Sequence, residues 1–221
     1  MLLHDYTACI QTYGQYCALA KALDVVGGRW TFLIVRELLI RGACRYTDLR
    51  KGLPTIATNL LADRLRELKE AGIVQSEFAP PPVATTLFRL TSRGQELEPI
   101  LLQLGSWGAP LLAKAAKSDA FCSHWMSLPL KLRLKDQAPN RPPIRIELRT
   151  GDEPLTIETR DGEVHTRPGA ARDPDLVLSG TPQVVLGLLL GKLDFSAARS
   201  AGLRHKGSPK ILARFRPTTS V

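Results

Sequence analysis

The chain has 221 residues, enough for one large domain or two small ones that each bury a core. Its 44% hydrophobic content excludes disorder over most of the length, and the absence of any run of about 18 uncharged apolar residues excludes a membrane-spanning helix. The net charge of +9 favours an anionic partner, nucleic acid above all, and nine Lys/Arg stand against four Asp/Glu between residues 29 and 69.

The opening MLLHDYTACIQTYG has no basic lead before an apolar block, so no signal peptide is expected. Apolar spacing is then mostly helical. Cys17 to Val26 reads as a short helix stopped by Gly27-Gly28. RWTFLIVRELLI (29–40) reads as a buried helix that starts with Trp30 in the core. YTDLRK (46–51) is a third helix, closed by Gly52 and Pro54. Ile56 to Ala71 is a fourth, ended by Gly72. Ile73–Ala79 and Thr85–Leu90 are extended segments joined by a proline-rich tip, as in a β-hairpin. Thr91 or Ser92 caps a long helix to about Lys117, kinked at Pro99.

After Ser118 the period changes. Asp119 to Leu128 is expected to be helical and QAPNRPP (137–143) a loop. Ile144, Ile146 and Leu148 alternate with Arg145, Glu147 and Arg149 as in a half-buried strand. Leu155–Thr159 repeats the pattern before an Asp161-Gly162 turn, and Leu176–Leu178 is a further strand. Thr181-Pro182 opens an apolar helix. The expected fold class is mixed: residues 1–117 form a mainly helical domain with a hairpin, and residues 118–221 an α+β domain.

Three helices followed by a hairpin is the order of a winged helix-turn-helix. On the fourth helix Leu61, Leu65 and Leu68 form one stripe, with Asn59, Asp63, Arg66 and Glu70 opposite. A helix in the major groove reads bases from near its N-terminus, where Asn suits adenine, Arg guanine and a Thr methyl thymine. Thr58, Asn59 and Arg66 are therefore candidate base readers and Thr55 a phosphate contact. The same face would also serve as an ordinary solvated surface. Asp63 opposes anion contact unless it orients Arg66 or accepts from a cytosine amine. Arg64 has two readings, a structural ion pair with Glu37 or Glu67, or a DNA contact. Trp107 is expected to pack or to contact a second copy.

YCALAKALDVVGGRWTFLIVREL, the RYTDLRKGLP…LLADRLRELKEAGIV run and LFRLTSRGQELEPIL…WG together resemble the HxlR-type winged-helix regulators, relatives of the MarR group, over roughly residues 14–110. The resemblance implies a cytoplasmic bacterial transcriptional regulator that binds double-stranded DNA as a homodimer through its outer helices. It places Tyr46, Thr47 and Arg50 on the helix that contacts phosphate. It also makes Ile73–Leu90 a wing, in which Arg89 is the one basic residue at the base of a cation-poor tip. Cys17 matches the N-terminal cysteine that acts in some members as a redox sensor. Here Cys-Ala replaces the usual Cys-Pro, and Lys21 is the only nearby cation, which favours a buried structural role.

Cys9, Cys17, Cys44 and Cys122 show no CxxC and no His at ligand spacing, so neither a metal nor a cofactor is expected. His124, His165 and His205 are scattered, and no phosphate-binding glycine motif occurs, so an enzyme is not expected. The run PDLVLSGTPQVVLGLLLGKLDFSAARSAGLRHKGSPKILARF resembles the sterol-carrier-protein-like lipid-binding domain over about residues 118–215. That resemblance implies an apolar tunnel and a fatty or other apolar ligand near Val184, Val185, Leu188 and Leu189; the same four residues would equally suit a plain core helix. The leading expectation is a DNA-binding regulator controlled by an apolar small molecule. The alternatives are a redox switch through Cys17, or a lipid carrier whose winged helix serves protein contacts.

Overall fold

A computed structural model describes residues 12–116 and 118–217. Cys9, most of the opening segment and Lys117 lie outside the described residues. The chain divides into two compact units. The first holds the described residues through Leu39 together with Ala43–Leu97; the second holds Ile40–Gly42 and the chain from Glu98 onward. The units thus part at Leu97/Glu98, where the sequence reading divides the chain at 117/118.

In the first unit α1 (Ala18–Val26) starts after Cys17, which stands extended at the N-cap. α2 (Thr31–Arg41) starts two residues later than its apolar run, because Trp30 takes φ +82, a left-handed conformation that cannot belong to a helix. Trp30 is half-buried beneath the Arg29 guanidinium, 5.9 Å from its ring, and is not the core residue expected. Nor is α2 buried all round. Ile34, Val35 and Leu38 face inward while Leu33 is exposed.

β1 (Cys44–Arg45) leads into α3 (Tyr46–Lys51), where the Asp48 carboxylate accepts from the Arg45 N–H at 3.1 Å. α4 (Thr58–Glu70) begins two residues after the expected start, since Ile56 turns into the core and Ala57 takes the N-cap. Between α3 and α4 the chain passes against Glu37, fully buried and bonded by Arg36 Nε and Nη2 at 3.0 and 2.8 Å. A Cβ on Gly52 would lie 1.8 Å from Glu37 Oε2, so only glycine fits there.

β2 (Val74–Ala79) and β3 (Thr85–Leu90) form the expected hairpin, in register from Val74 opposite Leu90 to Ala79 opposite Thr85. β1 pairs along the other edge of β3. Thr91 is the cap of α5 (Ser92–Gln95), accepting from the Gly94 N–H at 3.1 Å. The expected long helix ends there. Pro99 does not kink a continuing helix but sits in the first turn of a new one, α6 (Glu98–Gly108) in the second unit, where its missing N–H costs nothing. A 3₁₀ stretch, Ala109–Lys114, follows.

Within the second unit the helix expected over 119–128 does not begin before Ser127. A 3₁₀ turn (Ser123–Met126) precedes α7 (Ser127–Arg133) and β4 (Leu134–Asp136), which the sequence reading did not foresee. Pro129 reads as a breaker, yet it occupies the first turn of α7, where proline is tolerated. The main sheet comprises β5 (Arg145–Arg149), β6 (Leu155–Arg160), β7 (Glu163–Pro168), β8 (Leu176–Ser179) and, after α8 (Pro182–Leu189) and α9 (Phe195–Ser200), β9 (Arg204–Gly207). The strand order is β7-β6-β5-β8-β9, with β5 and β8 parallel and every other pair antiparallel.

Ile146, Leu148, Leu155, Ile157, Leu176 and Leu178 project from one face of this sheet into a core shared with Leu130, Val185, Leu189 and Ala198. A final strand, β10 (Phe215–Pro217), pairs with β4. Just before it Arg214 bonds the Asp136 carboxylate through Nε and Nη2 at 3.1 and 2.5 Å. Burial raises the Asp136 carboxyl, but the Arg214 hydrogen bonds and charge outweigh it and hold the group below the usual carboxylate range.

Candidate nucleic-acid interface

Leu61, Leu65 and Leu68 are 0%, 2% and 2% exposed, so the stripe read from the sequence is the inner face of α4. This fixes what the helix presents outward. Thr58, Asn59, Ala62, Arg66 and Lys69 are all exposed, with Thr58 and Asn59 in the first turn. Small Ala62 between Asn59 and Arg66 leaves the backbone accessible, as a groove-seated helix requires.

Asp63, which opposes anion contact beside the base-reading positions, accepts from Arg66 Nη2 at 2.9 Å; Glu70, the other acid on this face, stands at the far end of the helix. Asp63 therefore holds the guanidinium along the helix. Arg64 is paired with Glu67 on its own helix, which takes up the first of its two readings.

The expected phosphate contacts divide by environment. Thr47, Arg50 and Thr55 are exposed; Thr55 lies in the turn before α4, not on the helix. Tyr46 is half-buried, and its hydroxyl donates to the Thr58 carbonyl at 2.6 Å. That bond ties the start of α3 to the start of α4, a positioning role that spacing does not reveal. In the wing, Arg89 Nη2 bonds Glu77 across the strands at 3.0 Å, and the Pro80–Ala84 tip carries no charge. The hairpin thus offers one cation, already neutralised.

Cys17 is an exposed free thiol, not a buried one. Lys21, one turn on, lies 3.4 Å from the Asp24 carboxylate. Asp24 is held below the usual carboxylate range chiefly by the Tyr13 N–H, with the Thr12 hydroxyl and Lys21 assisting. The cation nearest Cys17 in sequence is therefore shared with a carboxylate.

Of the expected ligand-binding residues, Val185 and Leu189 are inside the core of the second unit, and Val184 and Leu188 are half-buried against it. Spacing also concealed one cluster. Cys122, His124 and Asp152 bring donor atoms within 4.8 Å of one another. The Asp152 carboxylate accepts from the Ser123 N–H at 2.9 Å, and the Arg41 guanidinium stands 3.0 Å from His124 Nδ1. The same Arg41 nitrogen also donates to the Glu153 carboxylate at 3.1 Å. Among the described residues no helix is long and apolar enough to cross a membrane.

Comparison with known proteins finds the model of the HxlR-like helix-turn-helix family matching residues 25–116. The chain is 34% identical over 87 residues to the HTH-type transcriptional regulator YvaP of Bacillus subtilis (strain 168), covering 39% of this chain and 80% of that protein. It is 38% identical over 95 residues to YybR of the same organism, covering 42% and 73%. Among solved structures, the redox regulator HypR in its oxidised form matches at 35% identity and TM-score 0.40, over 42% of this chain and 96% of that one. The chain belongs to the HxlR-like helix-turn-helix family, and the relatives it matches are transcriptional regulators, not enzymes.

Proposed function

We propose that this protein regulates transcription as a homodimer, laying two copies of α4 in successive major grooves of an inverted-repeat operator. The observation that carries the reading is the outward face of α4, where exposed Thr58, Asn59 and Arg66 stand opposite a leucine stripe committed to the core. In this reading Asn59 and Arg66 read base edges and Thr58 packs on a thymine methyl, while Thr47, Arg50 and Thr55 hold phosphates. Tyr46 sets the α3–α4 geometry, and the neutralised wing at Arg89 adds little.

Two apolar surfaces favour the dimer. In the first unit α1 and the segment just before it expose Tyr16, Leu19 and Leu23; in the second unit α6 exposes Ile100, Leu104 and Trp107, the last at 75%. Side chains of this size in runs belong to contact surfaces. Two-fold symmetry sets the recognition helices about 34 Å apart, one turn of the duplex. The second unit then supplies small-molecule control, since a ligand with different affinities for two dimer conformations can shift operator affinity by up to that ratio.

Footprinting on fragments of the source genome, repeated across a salt series, tests the reading. A protected inverted repeat is expected, with affinity that falls steeply with salt through at most about ten phosphate contacts per dimer. Equal binding to all duplexes, unchanged by Asn59→Ala and Arg66→Ala, would overturn it.

A further inference from the structure

The second unit's sheet has one face in the core and another turned away from it, and that second face forms a cavity of about 790 Å³. Strand register determines what lines it. Arg149 pairs with Ser179, and Ser179 with Arg204, so these three side chains form one row across β5, β8 and β9. One step along, Glu147 pairs with Val177 and Val177 with Lys206, forming a second row. With strands about 4.8 Å apart, Arg149 and Arg204 flank the Ser179 hydroxyl at backbone positions about 10 Å from each other. Two guanidinium groups so placed can close on a single oxyanion above the serine.

The carboxylates offset this charge only in part, since Arg149, Arg204 and Lys206 stand against Glu147 and Asp173. Glu147 is 2% exposed, and both its oxygens are engaged, one by Arg149 Nε at 2.6 Å and the other by the Ala171 N–H at 2.9 Å. Only Nε of Arg149 is used in that bond, and its side chain remains 60% exposed. Among the described residues Arg204 and Lys206 enter no ion pair, and Asp173 is the one other acidic residue of the lining. The wall that carries Ala170, Ala171 and Pro174 is anchored, because the Thr156 hydroxyl donates to the Gly169 carbonyl at 2.8 Å and Arg167 Nη2 to the Ala170 carbonyl at 3.1 Å. Val177, 8% exposed, forms an apolar floor.

We propose that this cavity binds a small organic oxyanion, a carboxylate or phosphate head on an apolar body. Arg149, Arg204 and Ser179 hold the head, Lys206 adds charge, and Val177 and Pro174 meet the body. The volume lies within the range of about 300–1,000 Å³ usual for small-molecule sites and far exceeds what a bare inorganic anion fills. The site lies on the face of the sheet opposite α8, so its ligand is distinct from an apolar one seated beside Val184 and Leu188. Binding here does not depend on DNA recognition.

Calorimetric titration of the full-length protein with phenyl phosphate, benzoate and neutral phenol tests the site. Saturable one-to-one binding of one or both anions is expected, with none by phenol. The double variant Arg204→Ala/Lys206→Ala, whose two positions are exposed, is expected to keep the wild-type melting temperature and weaken binding at least about tenfold. Absence of saturable binding by both anions up to about 10 mM would overturn the proposal. So would equal binding of phenol, or unaltered affinity in the double variant. Displacement of the anion by random-sequence duplex DNA, with loss of duplex binding in the double variant, would instead make this face a phosphate-backbone contact. Footprinting with the wild-type protein fails or succeeds independently of whether the anions bind.

Discussion

Arg66 on α4 and Arg149 on β5 are each held by a carboxylate on the same element, yet the two pairs are built for opposite purposes. Arg66 and Asp63 are both exposed, their side chains at 59% and 47%. Arg149 is as exposed as Arg66, but its partner Glu147 is 3% exposed in the side chain and also bonded to backbone. An exposed pair is worth at most about 1 kcal/mol, so a base or phosphate can take Arg66 away from Asp63 at little cost. Glu147 cannot release its partners without leaving a buried charge unsatisfied, a far larger penalty. The first unit thus carries an arginine that can change partners, and the second an arginine held at Nε whose side chain is otherwise open.

The comparison predicts a hierarchy of effects. The most buried pair of the second unit, Asp136–Arg214, has side chains 2% and 11% exposed, and Asp136→Ala is expected to cost about 3 kcal/mol. Hydrogen exchange should show the loss at β4 amides and leave α4 amides unchanged. The same pair has a pH signature. Because the folded carboxyl lies below its usual value, its stabilisation is complete above the ordinary carboxylate pKa of about 4 and is lost as pH falls through the folded value. A denaturation series in which β4 protection is flat from pH 7 down to pH 2 would contradict this.

Glu147→Ala follows, with about 2 kcal/mol expected from two lost hydrogen bonds in a buried site, measured by denaturant melting. A neutral result would mean that Glu147 is no more committed than Asp63, and the contrast would collapse. Asn59→Ala tests the first unit from the side of function. Its folding stability should hold, while operator affinity falls about tenfold or more, the scale of a bidentate base contact. Smallest is Asp63→Asn, expected to change folding stability by less than about 0.5 kcal/mol. With Arg66 freed and one like charge removed, binding to duplex DNA at low salt should strengthen severalfold. A weakening would mean that Asp63 positions Arg66 for its base.

Much of the first unit was legible because its helices are short, amphipathic and punctuated by glycine. The α3 boundaries, the β2–β3 hairpin and the leucine stripe of α4 all follow from period and turn chemistry alone. The errors there are local. The left-handed backbone at Trp30 delays α2, and just past the unit's end Pro99 starts a helix of the second unit where a kink was expected. Both depend on how neighbouring segments pack, which no short window of sequence contains. In the second unit the alternating strands and the Asp161-Gly162 turn were equally plain, but α7 and β4 were hidden by the prolines and by an unbroken apolar-basic run.

The sequence by itself determined the order of elements, the stripe that α4 buries and the residue types it turns outward, because a 3.6-residue period dictates which side chains share a face. It also carried the family pattern. Only the tertiary structure decided the longer-range partners: Tyr46 on the Thr58 carbonyl, Glu37 beneath Gly52, and Arg149, Ser179 and Arg204 in one row. Those choices join residues from 12 to 55 positions apart through strand register, close packing and the need to satisfy buried charge. An alternating strand shows that Glu147 and Arg149 share a face; it takes the neighbouring strands and the loop at Ala171 to bury one and leave the other open.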